Sequence, residues 1–106
     1  MTTWEQLTIY TEESDRWHGK ALYVAIIERA KQQGLTGATA TRGIIGFGKH
    51  GRIHTTEILA LSSDLPIVVT LIARFEQIEE FLPVVQEMVK EGIIVRQTVG
   101  VIHSSL

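Results

Sequence analysis

A chain of 106 residues with formal charge −2, no cysteine, and 44% hydrophobic against 21% charged side chains holds material for one domain. A (β/α)₈ barrel, or a dinucleotide-binding domain with its partner domain, needs about twice this length or more. Without cysteine there is no disulfide framework, thiolate zinc site, iron–sulfur cluster or thiol nucleophile, and a reducing cytoplasm is the expected compartment.

Met1–Gln6 shows neither the basic nor the apolar region of a signal peptide, so no export is expected. The longest apolar stretch, around Ile67–Ala73, is far short of a membrane span. The near-neutral balance argues against a nucleic-acid partner. Charge is uneven along the chain, however. Between Glu28 and Glu57 no acidic residue occurs, while Arg29, Lys31, Arg42, Lys49 and Arg52 all fall there.

Leu7–Thr11 alternates apolar and polar residues and predicts a first strand. Glu12-Glu13-Ser14-Asp15 offers turn and N-cap chemistry before a helix predicted from about Trp17 to Gln33. Its stripe is Leu22, Tyr23, Ile26, Ile27 and Ala30, and Gly34 and Gly37 end it. Arg16 and Lys20 then sit four apart at the start of that helix. A strand follows over residues 38–44, a Gly-rich stretch over 43–51, a strand over 53–61, and turn residues Ser62–Pro66. The apolar run 67–73 reads as a strand in the middle of a sheet.

Ile78, Phe81, Leu82, Val85, Met88 and Val89 define a second helix, with Gly92 as its cap and Pro83 implying a late start or a bend. A final strand runs over 93–102, with Ile93, Val95, Val99 and Val101 on one face and Arg96 and Thr98 on the other. Arg96 is there for a ligand or for an intersubunit salt bridge. The order reads as α+β, the pattern of a ferredoxin-like βαββαβ unit spanning 1–106 with one strand beyond its four, and with an antiparallel sheet carrying both helices on one face. The other face is then bare, and oligomerisation is the expected cover.

Residues 42–54 carry whatever chemistry the chain has. Gly46-Phe47-Gly48-Lys49-His50-Gly51 matches G-x-G-x-x-G, and Gly43–His50 is one residue from a Walker A loop, but a strand follows where both motifs need a helix. Four glycines can turn backbone N–H groups toward an anion, with Arg42, Lys49 and Arg52 adding positive charge; a plain connection between strands explains the same residues. His50 and His54 are four apart on a loop entering a strand, not on one helix face, so no metal site is expected. No nucleophile–base pair or carboxylate pair stands out, and no enzyme is expected.

The ordered set Glu13-Ser14-Asp15-Arg16, Gly19-Lys20, Leu22-Tyr23, Gly37-Ala38-Thr39, Arg42-Gly43-Ile44, Gly46-Phe47-Gly48, Ile53-His54-Thr55, Leu61-Ser62, Asp64-Leu65-Pro66 and Phe81-Leu82-Pro83 resembles a family of small bacterial and archaeal proteins classed as PII-like. The resemblance implies a ferredoxin-like subunit that trimerises through its sheets. It also implies an adenine nucleotide (AMP, ADP or ATP) held as effector, not as cofactor, in the clefts between subunits. Residues 42–54 would match the effector loop of PII proteins, and Lys90–Gly92 the phosphate turn after the second helix. The implied ligand set is Arg42, Gly43, Gly46, Gly48, Lys49, Arg52 and His54, with Lys90 and Gly92; apart from the resemblance, Arg16 at the start of the first helix is a further candidate for a phosphate, or an exposed charge. The chain departs from PII proteins in its shorter loop, which lacks their modified tyrosine, and in lacking their basic glycine-rich turn. A membrane transporter or channel is the implied target. The alternatives are a trimeric scaffold or a metal-handling protein of the same fold.

Overall fold

The computed structural model describes residues 2–48, 51, 53–55 and 64–105. In chain order the elements are β1 (Trp4–Glu12), β2 (Arg16–Trp17), β3 (Lys20–Ala21), α1 (Leu22–Gln32), β4 (Gly37–Arg42), β5 (Ile45–Gly46), β6 (His54–Thr55), β7 (Pro66–Arg74), α2 (Phe75–Met88) and β8 (Ile93–Val99). Four strands make one antiparallel sheet in the order β4-β7-β1-β8. This is the strand order of the ferredoxin-like unit, and the apolar run 67–73 lies inside the sheet as expected.

Alternation along β1 and β7 decides where the core forms. Leu7, Ile9, Val69, Leu71 and Ala73 are fully buried on the side that meets the helices. There they pack with Leu22, Ala25, Ile26 and Ala30 of α1 and Ile78, Phe81, Val85 and Met88 of α2. Both helical stripes sit where their spacing put them. No described element covers the opposite face, which carries Gln6, Thr8, Tyr10, Val68, Thr70, Ile72, Ile93 and Val95.

Several boundaries differ from the sequence expectation, each for a local reason. The first helix starts at Leu22, not near Trp17, because residues 16–21 fold as a two-stranded hairpin. Its central residues, His18 (φ 48) and Gly19 (φ 80), both have positive φ, the geometry of a type I′ turn. The Leu22 amide donates to the Asp15 carbonyl at 2.8 Å, so residues 12–15 start this hairpin instead of capping a helix. Arg16 and Lys20 therefore lie on facing strands, and Lys20 pairs with Glu28 at 2.6 Å. The C-terminus of α1 ends as expected: Gly34 N–H reaches Lys31 O and Leu35 N–H reaches Ala30 O, a Schellman pair.

Of the strand expected over 53–61, only the first residues are described, and these pair outside the main sheet. His54 and Thr55 pair with Gly46 and Ile45, and residues 56–61 lie outside the described residues. Helix α2 begins at Phe75 and runs through Pro83, which faces solvent, so water can serve the carbonyl that proline leaves without a donor. The helix ends at Met88 with Val89 as C-cap, so Gly92 is not its cap.

The last strand ends at Val99, short of 102, and carries Ile93, Val95 and Val99 on one face and Arg96 and Thr98 on the other, as expected. Register with β1 pairs Leu7 with Arg96 and Ile9 with Ile94, which puts Ile94 and Arg96 under the helices and Ile93 and Val95 on the open face. Arg96 therefore pairs within its own chain. It reaches Glu5 and Glu79, each at 2.6 Å, and its guanidinium lies over the Phe75 ring. The hydrogen bonds it donates to Glu5 first, and to Glu79 second, raise its pKa above the ordinary arginine value, so it stays charged throughout the working pH range. The Glu5 side chain is nearly buried whereas Glu79 is half exposed. Glu5→Gln is accordingly expected to lower the melting temperature more than Glu79→Gln; equal effects in thermal unfolding would place the weight of the network elsewhere.

Candidate functional site

The C-terminal end of β1, the N-terminal end of β7, the turn after α2 and the root of the Gly-rich segment converge on one cleft of about 430 Å³. Its walls are Tyr10, Thr11 and Glu12 with Asp15, then Gly46, Phe47 and Gly48, Pro66, and Glu91, Gly92 and Ile93. Each wall is placed by a specific contact. Gly43 N–H donates to Pro66 O at 2.7 Å, and a Cβ on Gly43 would stand 2.7 Å from Pro66 Cγ, so only glycine lets the segment leave β4 this tightly. Gly92, at φ 155, passes so close to β1 that a Cβ would lie 2.6 Å from Tyr10 O. Asp15 Oδ2 accepts from the Glu12 amide at 3.0 Å, which holds the β1 end against the turn that follows.

Of the ten candidate ligand residues, Gly46, Gly48 and Gly92 line this cleft, and Gly43 shapes it from behind. Arg42 is not on the wall; it pairs with Glu13 at 2.6 Å. Arg16 and Lys90 meet at an adjoining recess of about 80 Å³, formed with Asp15, Leu22, Met88 and Glu91. His54 is placed by its backbone pairing with Gly46, while Lys49 and Arg52 lie outside the described residues. The candidate set omits Tyr10, Thr11, Pro66, Ile93 and the acids Glu12 and Asp15, and within the segments it names it passes over Phe47 and Glu91. The available signal was that an aromatic between two glycines, Phe47, has no core to join, and it is indeed strongly exposed.

Chemically the cleft combines an apolar wall for a flat ring, carboxylates that accept from hydroxyl groups, and glycine backbone open to close approach. Among the described residues no cluster of three His, Asp or Glu side chains could hold a metal ion. No helix among them is long and apolar enough to cross a membrane.

Residues 4–101 match the family DUF190, described as "Uncharacterized ACR, COG1993". A UPF0166 protein of Aquifex aeolicus is 39% identical over 97 residues, covering 92% of this chain and 91% of its own length. A UPF0166 protein of Methanocaldococcus jannaschii is 34% identical over 90 residues, covering 84% and 82%. In three dimensions the chain is similar to CPII, a nitrogen regulatory PII-like protein from Thiomonas intermedia bound to ADP, AMP and bicarbonate. The TM-score is 0.59 at 17% identity, covering 92% of this chain and 86% of that one. A second structure of CPII, bound to ADP and bicarbonate, gives 0.56 at 18% identity with the same coverage. With the family model matched over nearly its whole length and this strand order in its sheet, the chain belongs to the DUF190 family and carries a PII-like, ferredoxin-type fold.

Proposed function

We propose that the protein is a cytoplasmic PII-like regulator in which three copies associate through the open faces of their sheets. It binds an adenine nucleotide, or a similar small anion, in the cleft beside the Gly-rich segment. The observation that carries this reading is the convergence of Gly46–Gly48 and Glu91–Ile93 on one cleft, because these are the two segments the family resemblance implies for the ligand. Tyr10 and Ile93 belong both to that cleft and to the open sheet face, so a neighbouring copy on the face would close the cleft's edge. The nucleotides held by CPII support the same ligand class. Arg16 and Lys90, beside the cleft, supply positive charge for the phosphate end, and Arg42 joins them by exchanging Glu13 for ligand. Ligand would change the fit of segment 42–54 to a partner, with a membrane transporter or channel as the target.

The test is thermal unfolding of the mass-checked oligomer against AMP, ADP, ATP, cyclic AMP, bicarbonate and divalent metals. A specific ligand at about 100 times its Kd is expected to add roughly 2.7 kcal/mol per site. A trimer stabilised by one nucleotide bears out the proposal. A monomer, or a trimer indifferent to every nucleotide and to bicarbonate, overturns it, and a shift with metal alone points to the metal-handling alternative.

A further inference from the structure

Both roots of the segment between Arg42 and Leu65 are tied to the single turn that follows β1. On one side Arg42 pairs with Glu13 at 2.6 Å. On the other the Glu13 amide donates to Leu65 O at 2.9 Å, and the Ser14 amide donates to Asp64 Oδ1 at 2.7 Å. The Ser14 hydroxyl donates to the second oxygen of the same carboxylate at 2.5 Å. Gly43 N–H to Pro66 O joins the two roots directly. The register of β1 with β7 ends at Glu12 and Pro66, so the Ser14–Asp64 contacts extend the pairing beyond the sheet. The same turn bounds the cleft through Glu12 and Asp15.

We propose that Ser14 and Asp64 form a clasp, two positioning residues that hold the Gly46–Gly48 wall at its place against Glu12 and Asp15. An ionised carboxylate taking an amide and a hydroxyl from one residue is a stronger and more directional tie than a neutral bond. Neither residue belongs to the apolar core, so loss of the clasp can be read separately from loss of core packing. The clasp is defined by contacts at the roots alone and stands independently of any ligand; its effect on affinity rests on the nucleotide reading above.

Amide hydrogen exchange tests it in Ser14→Ala, Asp64→Ala and Ser14→Thr. The Glu13 and Gly43 amides, which touch neither altered side chain, are expected to exchange about tenfold faster in the two alanine variants. Ser14→Thr keeps the hydroxyl and is expected to restore wild-type exchange. Unchanged exchange at Glu13 and Gly43 overturns the clasp. So does equal acceleration at the core amides of Leu7 and Val69, which would report loosening of the whole fold. AMP titration of the same variants is expected to show about tenfold weaker binding, and unaltered affinity with accelerated exchange would cut the clasp from the cleft. Absence of AMP binding to the wild type would sink the nucleotide reading, leaving the exchange data to decide the clasp.

Discussion

Replacing Phe81 with alanine is expected to lower the unfolding free energy by about 3–5 kcal/mol, a large part of the 5–15 kcal/mol that a domain holds. Phe81 has no exposed surface and is the largest of the fully buried side chains. It stands midway along α2, between Ile78 and Val85, in the cluster that includes Leu7, Ile9 and Leu71 from the two central strands. Truncation removes the ring's transfer free energy and leaves a cavity that neighbours on a sheet cannot fill by moving. Denaturant unfolding at fixed protein concentration checks this, with the midpoint falling and the slope unchanged. A loss below about 1 kcal/mol would mean that the core closes around the gap, and that α2 is held by something other than this ring.

The Gly92→Ala variant is expected to lose about 2–4 kcal/mol, from strain at a positive φ and from steric conflict. The added methyl would stand 2.6 Å from Tyr10 O and 3.2 Å from Val89 Cγ1, and the first of these is backbone of a central strand that cannot yield. Relief therefore requires the turn after α2 to move away from β1, which widens the cleft where Gly92 forms its wall. Gly100→Ala is the control, since a Cβ there meets nothing within 4 Å, and little change is expected. The measurement is unfolding of both variants beside nucleotide titration. A Gly92→Ala protein as stable as wild type would show that the turn has room the structure does not display.

The βαββαβ plan was legible because its elements are long and their periods are clean. The stripes Leu22–Ala30 and Ile78–Met88 meet the core as their spacing required. Misreadings cluster where two periods compete or where a turn type outweighs propensity. Trp17 to Ala21 fits a helical extension, yet His18-Gly19 accepts two positive φ values, and the hairpin takes those residues. An x-Gly pair flanked by long side chains was the signal that would have found it. Pro83 on the sequence implies a late start or a bend; the helix starts early, at Phe75, and a proline on the solvent side of a helix packed by Ile78, Phe81 and Val85 is carried by that packing. On the sequence Glu12 is turn and N-cap chemistry and Glu79 carries no mark. One closes the wall of the cleft and the other binds Arg96, because their partners come from segments distant in the chain.

The candidate site was legible in its glycines and not in its walls. Gly46, Gly48 and Gly92 stand out locally, as residues that tolerate close backbone approach. Tyr10, Pro66 and Ile93 carry no such mark, since each also fits an ordinary strand end, and only the meeting of three strand ends makes them a surface. Arg42 shows the converse. Its place in a basic, acid-free stretch suggested an anion contact, while the fold puts Glu13 within 2.6 Å of it.

By itself the sequence determined the element types, the single apolar core and the central place of the strand around 67–73, because each follows from spacing or composition within one short segment. Only the tertiary structure decided which face of Ile93–Val99 meets the helices, where the basic side chains point, and that the ends of β1, β7 and α2 enclose a cleft. The last strand has apolar residues on both faces, so its own pattern is satisfied either way up; antiparallel register with Leu7 and Ile9 makes the choice, and that register is a property of the assembled sheet.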